Sequence, residues 1–124
     1  MNQTRMLGAS LLVYLPHLVE EALTRMYDDP LMVFALGPLA TLSPRQAGYL
    51  VFQAMLLVTV ATAYLVSLGG RWRTGVLLVL GLALVGEAHH LVRAAVTLHY
   101  NSGLATALPM PIVGYFILRA CTRP

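Results

Sequence analysis

Side chains that bind metals or carry protons are rare in this chain, and they are concentrated in apolar surroundings. All three glutamates and all four histidines lie within, or at the ends of, long apolar segments. They are His17, Glu20, Glu21, Glu87, His89, His90 and His99. A carboxylate at the centre of a bilayer costs roughly 2.5–3.5 kcal/mol on translocon-insertion scales, so such groups are kept where they serve a site. We therefore interpret this set as one polar site.

Two short runs hold most of these residues. Residues three or four positions apart share one face of a helix, so His17, Glu20 and Glu21 should point the same way, as should Glu87 and His90. Glu-x-x-His pairs on facing helices build carboxylate-bridged metal sites in four-helix bundles. Imidazole and carboxylate donors without a thiolate suit one or two divalent ions of zinc, iron or manganese.

We assign roles within this predicted metal site as follows. The principal ligands are His17, Glu20, Glu87 and His90. Glu21 is either a bridging ligand or a general base. His89, which is two residues from Glu87 and faces elsewhere, and His99 are lesser ligand candidates. Arg93 could fix a carboxylate or bind an anionic head group, which makes it the second candidate catalytic residue beside Glu21.

Composition places these residues in a membrane protein. Of the 124 residues, 58% are hydrophobic and only 10% are charged, which excludes an ordinary soluble domain. The net charge of +3 is too small and too dispersed for nucleic acid. Membrane lipid and a lipophilic small molecule are the expected partners. Cys121 is the single cysteine and lies far in sequence from the histidines, which argues against a zinc–thiolate site.

The pattern of apolar segments predicts an all-α fold. A span needs about 20 mostly apolar residues, and four segments qualify. They are 5–27, 46–68, 73–98 and 104–120. The apolar stretch 31–42, with Gly37-Pro38, is too short to cross and is interpreted as interfacial or re-entrant. We therefore predict a polytopic membrane four-helix bundle, formed by one domain over residues 1–124.

Charge predicts how this bundle is oriented. Four spans place both termini on one side, together with the loop between the second and third spans. That side collects Arg5, Arg71, Arg73, Arg119 and Arg123. The other side has Arg45, Asp28 and Asp29, with Arg25 and Arg93 inside helices near it. The positive-inside rule then predicts a multi-pass protein of the cell inner membrane with both termini cytoplasmic.

Depth gives an independent reason to join the two runs. Glu20 comes 15 residues after Arg5, and Glu87 comes 14 residues after Arg73. At 1.5 Å per residue, both lie about 21–23 Å from the cytoplasmic face. The first and third spans run in the same direction, so the two runs should meet at one level in the outer half of the bilayer.

The first run also suggests a family. His17-Leu-Val-Glu20-Glu21 near the start of a small polytopic chain resembles the HXXEE-motif membrane proteins, a bacterial family named for that run. In that family a histidine on the third span precedes a Tyr-Asn-Pro-Gly-like turn and a threonine. This chain has His90, then Tyr100-Asn101-Ser102-Gly103, in which Ser102 replaces the proline, then Thr106. The resemblance covers most of the chain and implies a four-helix membrane fold with a polar His/Glu centre. The residues that it implicates are His17, Glu20, Glu21 and His90.

Three functions remain open from the sequence. The first is a metal-dependent enzyme that acts on a lipophilic substrate by an undetermined reaction. The second is a proton or metal-ion transport component, although the nearly all-apolar segments 6–15 and 74–85 would leave a path without polar lining. The third is a non-catalytic accessory subunit whose polar network specifies helix packing. Four short helices bury little interior, so a homodimer is compatible with each function.

Overall fold

The computed structural model describes residues 3–28, 32–34, 37, 42–70 and 72–122. Within these ranges the chain forms helices and no strand, which confirms the all-α prediction. Four helical segments in this part are long and apolar enough to cross a bilayer. They are Thr4–Leu23, Pro44–Leu68, Trp72–Thr97 and Leu104–Thr122. Their number and composition indicate an integral membrane protein with a four-helix bundle.

Two of the four spans are each made of two consecutive helices. The helices are α1 (Gln3–Leu23), α2 (Pro44–Leu68), α3 (Trp72–Gly86), α4 (Ala88–Thr97), α5 (Leu104–Ala107) and α6 (Pro109–Thr122). A short 3-10 turn, Met26–Asp28, follows α1. The third span is interrupted at Glu87, where the His90 amide bonds to the Glu87 carbonyl at 3.2 Å, a tighter i+3 bond. The interruption therefore falls on one of the predicted ligands.

The helix ends follow from local chemistry. Ser43 and Gln46 form a capping box at the start of α2, with Pro44 in its first turn. The first helix ends at Leu23 rather than near residue 27, since Arg25 has φ 62°, which a helix cannot continue through. Leu98, with φ 54°, ends α4 in the same way.

The bundle packs most closely between α3 and α6. A Cβ on Gly114 would lie 2.7 Å from the Gly81 carbonyl oxygen and 2.9 Å from the Val85 amide nitrogen, so the two backbones touch there. Small residues allow this approach, as they do in many transmembrane helix pairs. Around the crossing lies a core of buried apolar side chains. Its members are Met6, Val66, Leu77, Leu84, Met110 and Ile117.

Two predictions fall partly outside the described residues. The interfacial or re-entrant segment at 31–42 lies mostly outside them, and so do Asp29, Arg71 and Arg123, which entered the orientation prediction. The orientation of the termini stays a prediction. The short helix α5 packs against α1 and α4, and this contact builds the site described next.

Candidate metal centre

Four side chains from the first and third spans converge on one point. His17 and Glu21 come from α1, Glu87 from the break between α3 and α4, and His90 from α4. His17, Glu21 and His90 are buried, with 0%, 5% and 4% of their surface exposed, and the Glu87 side chain is 20% exposed. The two helices therefore face each other with their imidazoles and carboxylates at a shared level.

The contacting nitrogen and oxygen atoms of these four side chains alternate around a closed ring, and "the ring" below means this set of His17, Glu21, Glu87 and His90. His17 Nε2 lies 3.7 Å from Glu21 Oε1 and 3.4 Å from Glu87 Oε2. His90 Nε2 lies 3.5 Å and 3.3 Å from the same two oxygens. Two ligand atoms bound tetrahedrally to one zinc ion at its usual bond lengths are about 3.4 Å apart. Two overlapping groups could hold a metal ion, because the ligand atoms of each lie within 4.8 Å of one another. One is the buried group of His17, Glu21 and His90, and the other consists of Glu87, His89 and His90.

The orientation of the His90 ring is set by Asn101. The Asn101 amide nitrogen donates to the His90 carbonyl oxygen at 3.0 Å, and its Oδ1 lies 2.8 Å from His90 Nδ1. Because a carbonyl oxygen only accepts, the amide nitrogen must face it, and Oδ1 must accept from Nδ1–H. His90 therefore carries a proton on Nδ1, and its Nε2 faces the Glu21 and Glu87 carboxylates.

The same logic applies to His17 through Thr106. The Thr106 hydroxyl donates its one proton to Glu20 Oε2, and its oxygen lies 2.9 Å from His17 Nδ1. Since the hydroxyl proton is already used, the oxygen accepts from Nδ1–H. His17 Nε2 also faces the Glu21 and Glu87 carboxylates. Metal-ligating histidines usually have such a partner on the other ring nitrogen.

Glu20 lies outside the ring, in contrast to its predicted place among the principal ligands. Its carboxylate accepts from the amides of Ala105 and Thr106, at 3.0 and 2.8 Å, and from the hydroxyls of Thr106 and Tyr100. It thereby caps the start of α5 from a different helix. The bond to Glu20 raises the pKa of the exposed Tyr100 phenol. Glu20 thus positions Thr106, and through it His17.

Three atoms of the ring residues are buried without a hydrogen-bond partner among the described residues. They are His17 Nε2, His90 Nε2 and Glu21 Oε2. A buried polar atom left unpaired costs about 1–3 kcal/mol, so a fold that holds three of them together has a use for them. Imidazole nitrogens and carboxylate oxygens are among the ligand atoms that a divalent ion such as zinc binds.

Gly103 closes the site from the side of the loop. Its φ is +83°, and a Cβ there would lie 2.6 Å from His17 Cε1 and 3.1 Å from both Glu21 Cγ and His90 Cε1. Any other residue would press on three ring side chains. The neighbouring Ser102 bonds to Thr24 Oγ1 at 2.7 Å, which ties the loop to the end of α1.

The remaining predicted site residues lie beside the ring or away from it. His89 is exposed and packs against His90 with the two imidazole planes tilted by 41°. Its Nδ1 lies 3.1 Å from the Gly86 carbonyl oxygen and 3.9 Å from Glu87 Oε2. His99 is exposed, and its described contacts are with Thr97. Arg93 is half-buried one turn beyond His90 on α4. Of these three residues, His89 has the contacts closest to the ring, so its predicted role as a ligand has the most geometric support.

A small opening leads to the ring. A cavity of about 100 Å³ is bordered by ring residues Glu21, Glu87 and His90, by His89 and Ser102, and by three methionines. The methionines are Met26, Met32 and Met55. This space is large enough for a water molecule or a small polar group beside the carboxylates.

The partners that orient the two imidazoles, Asn101 and Thr106, were not assigned a role from the sequence. They appeared only as part of the turn that resembles the HXXEE-motif family, and Gly103 only as a turn residue. Nothing in their spacing from the histidines reveals the contacts, because 11 residues separate Asn101 from His90 and 89 separate Thr106 from His17.

No protein-family model, curated protein or solved structure matches this chain. The resemblance to the HXXEE-motif family therefore stays an expectation drawn from the motif, and the interpretation of the site depends on its own geometry.

Proposed function

We propose that this protein is a membrane-embedded, metal-dependent enzyme that acts on a lipophilic substrate. The observation that carries the proposal is the pair of buried imidazoles. Each is anchored through Nδ1, and each directs Nε2 at two carboxylate oxygens 3.3–3.7 Å away. Neither Nε2 makes a hydrogen bond within the described structure, and an ion bound between these nitrogens and the carboxylate oxygens would give both of them a partner.

The ring would hold one divalent ion, zinc, iron or manganese, through His17, Glu21, Glu87 and His90. Such an ion polarises a substrate oxygen or activates water. A second ion would need His89, but the His89 Nδ1 nearest to Glu87 lies at hydrogen-bond distance from the Gly86 carbonyl, which requires a proton on that nitrogen. A single ion is therefore the better fit.

Glu21 is the residue that we propose as general base. Its Oε1 contacts both histidines, while Oε2 is buried and unpartnered among the described residues. It also borders the small cavity, so a water or substrate hydroxyl there could pass its proton to Oε2. Arg93, one turn beyond His90, is proposed to bind an anionic head group.

Metal content of the detergent-purified protein tests the proposal. We expect about one zinc, iron or manganese ion per chain in the wild type, and loss of the ion in His90→Ala and in Glu21→Gln. His99→Ala is the matched control, because it removes the same side chain at an exposed position whose hydrogen bonds, among the described residues, are with Thr97, and it should keep the ion.

The rival functions give different results. Protein that stays metal-free after reconstitution, but conducts protons into liposomes in a manner abolished by His90→Ala, would favour transport. Protein that folds without metal and conducts no protons would favour the third function, a non-catalytic subunit whose polar network specifies helix packing. Catalysis itself is tested by comparing membrane lipids from cells that produce the wild type with those producing His90→Ala. The enzyme proposal fails if no lipid species differs.

A further inference from the structure

An apolar cleft approaches the ring from the opposite end of the bundle. It has a volume of about 490 Å³ and lies between α1, α2 and α3. On α3 its wall extends from Trp72 to Leu84, which is roughly 18 Å of helix at 1.5 Å per residue. The cleft is therefore long and narrow.

The cleft and the ring share the same helix faces. On α1 the wall includes Leu7, Ser10 and Tyr14, and the next positions at this spacing are His17 and Glu21. On α3 the wall ends at Leu84, three residues before Glu87. On α2 the wall residues Val58 and Thr59 follow Met55, which borders the small cavity beside the ring. All three faces thus run from the cleft into the site.

Two of the four hydroxyl-bearing residues in the wall, Ser10 and Thr59, bond within their own helices. Ser10 donates to the Leu7 carbonyl at 2.7 Å, and Thr59 donates to the Met55 carbonyl at 2.8 Å, so both are satisfied within their own helices. Apolar cavities do not hold water. Tyr14 stands at the junction, with its ring centre 6.5 Å from that of His17. The wall of the cleft is therefore mostly apolar, and Tyr14 lies between the cleft and the His17 imidazole.

We propose that this cleft binds the alkyl chain of a long-chain amphiphile and delivers its oxygen-bearing head group to the His/Glu ring. Delivery of the head group to the ring rests on the proposed function, whereas binding of the alkyl chain rests on the cleft alone. The substrate class is therefore a fatty acid, alcohol, aldehyde or ester. Its chain lies along α3 toward Trp72, and its head lies against Glu21 and Glu87.

Chain length, rather than overall hydrophobicity, is what this site distinguishes. Lipid tails are as apolar as the wall, so moving a chain from the bilayer into the cleft gains no hydrophobic free energy. The gain comes from close packing, which a chain loses when it is too short to fill the cleft or too long to fit.

Cleft-filling variants test the chain half. Gly75 lines the far part of the cleft, and a Cβ there meets nothing within 4 Å, so Gly75→Leu should fill the cleft without a clash. Thr62→Leu narrows it from the α2 side. Gly8→Leu is the matched control, since a Cβ on Gly8 also meets nothing within 4 Å but Gly8 is exposed outside the cleft.

The probes are hexyl, decyl and hexadecyl hydroxamates, whose heads chelate metal, measured on zinc-loaded protein. We expect wild type and Gly8→Leu to share one preferred chain length. Gly75→Leu should weaken the longest chain by about tenfold or more, equivalent to ~1.4 kcal/mol, and leave hexyl hydroxamate unchanged. Thr62→Leu should weaken both longer chains. Helical content and zinc content confirm that each variant is folded.

A second measurement separates this proposal from the metal proposal. A fluorescent fatty acid is bound to metal-free protein and displaced by alkyl amides of the same three lengths. If zinc fails to bind but Gly75→Leu still shifts the displacement toward shorter chains, the chain site stands and the metal proposal falls. If zinc binds and chain preference is the same in Gly75→Leu and Gly8→Leu, ordinary lipid fills the cleft and the chain proposal is overturned. Failure of both measurements overturns both proposals.

Discussion

At the scale of the residue, the site depends on how two histidines are held. His17 and His90 come from different spans, yet both receive their partner from the segment after the third span, through Thr106 and Asn101. Each partner accepts from Nδ1–H and leaves Nε2 for the ring. The shared arrangement explains why a polar loop residue and a hydroxyl at the start of the fourth span lie against the two histidines.

Thr106→Val should weaken zinc binding by about 10–100-fold, the usual effect of losing a partner that orients a ligating histidine. The substitution keeps the shape of the side chain but removes the acceptor for His17 and the donor to Glu20. Thr106→Ser, which keeps the hydroxyl, should bind zinc nearly as well as the wild type. Competition with a chromogenic chelator measures both affinities. Equal loss in the two variants would show that packing, and not the hydroxyl, matters.

Residue spacing could not distinguish Glu20 from Glu21. Relative to His17, a residue three positions on is rotated by about 60° to one side and a residue four positions on by about 40° to the other. Both therefore count as the same face. The neighbouring residues determine which carboxylate enters the ring. Ala105 and Thr106 donate amide hydrogen bonds to Glu20, whereas His90 lies beside Glu21.

At the scale of the element, the loop between the third and fourth spans is part of the site. Leu98 ends α4 in a left-handed conformation, and Gly103, also with positive φ, leads into α5. Between them the chain turns back over the ring and presents Asn101 and Ser102. The conformation of this loop therefore depends on its contacts with the site.

Gly103→Ala should reduce zinc affinity by about tenfold or more, since the new Cβ would press on His17, Glu21 and His90. Gly70→Ala provides the control. Gly70 has φ +79°, so alanine meets a similar conformational cost of roughly 1–2 kcal/mol, but a Cβ there contacts nothing within 4 Å. Thermal unfolding and zinc affinity are measured for both. Unchanged zinc affinity in Gly103→Ala would contradict the tight closure described here.

A second prediction concerns the contact between α3 and α6. Gly114→Ala places a Cβ against the backbone atoms of Gly81 and Val85, which cannot rotate away, so the helices must separate. We expect a loss of about 1–3 kcal/mol in the free energy of unfolding in mixed micelles. Gly8→Ala, where a Cβ meets nothing, should be neutral or slightly stabilising. Equal stability of the two variants would rule out the close crossing.

At the scale of the whole molecule, the bundle combines a lipid-facing exterior with a polar interior at one level. Large apolar side chains on all spans are exposed, among them Leu12, Leu57, Val79 and Ile112. Such a surface suits hydrocarbon and would aggregate in water. The polar ring is consequently enclosed by helices that face lipid on their outer sides.

Reporter fusions test the orientation of this bundle. Four spans put both ends on the same side, and the distribution of arginines predicts that this side is the cytoplasm. Fluorescent protein fused to either end should therefore fluoresce, while alkaline phosphatase fused to either end should be inactive. Opposite behaviour of the two ends would require an odd number of crossings.

Composition and spacing alone determined that this protein is a four-helix membrane bundle and that its two runs of acidic and imidazole side chains meet at one level. Both follow from local rules, since apolar length sets the spans and 1.5 Å per residue sets the level. Only the tertiary structure decided which carboxylate faces the histidines, which nitrogen of each imidazole is free, and what lies against them. Those outcomes depend on contacts between residues 11 to 89 positions apart, and such contacts exist only once the spans have packed.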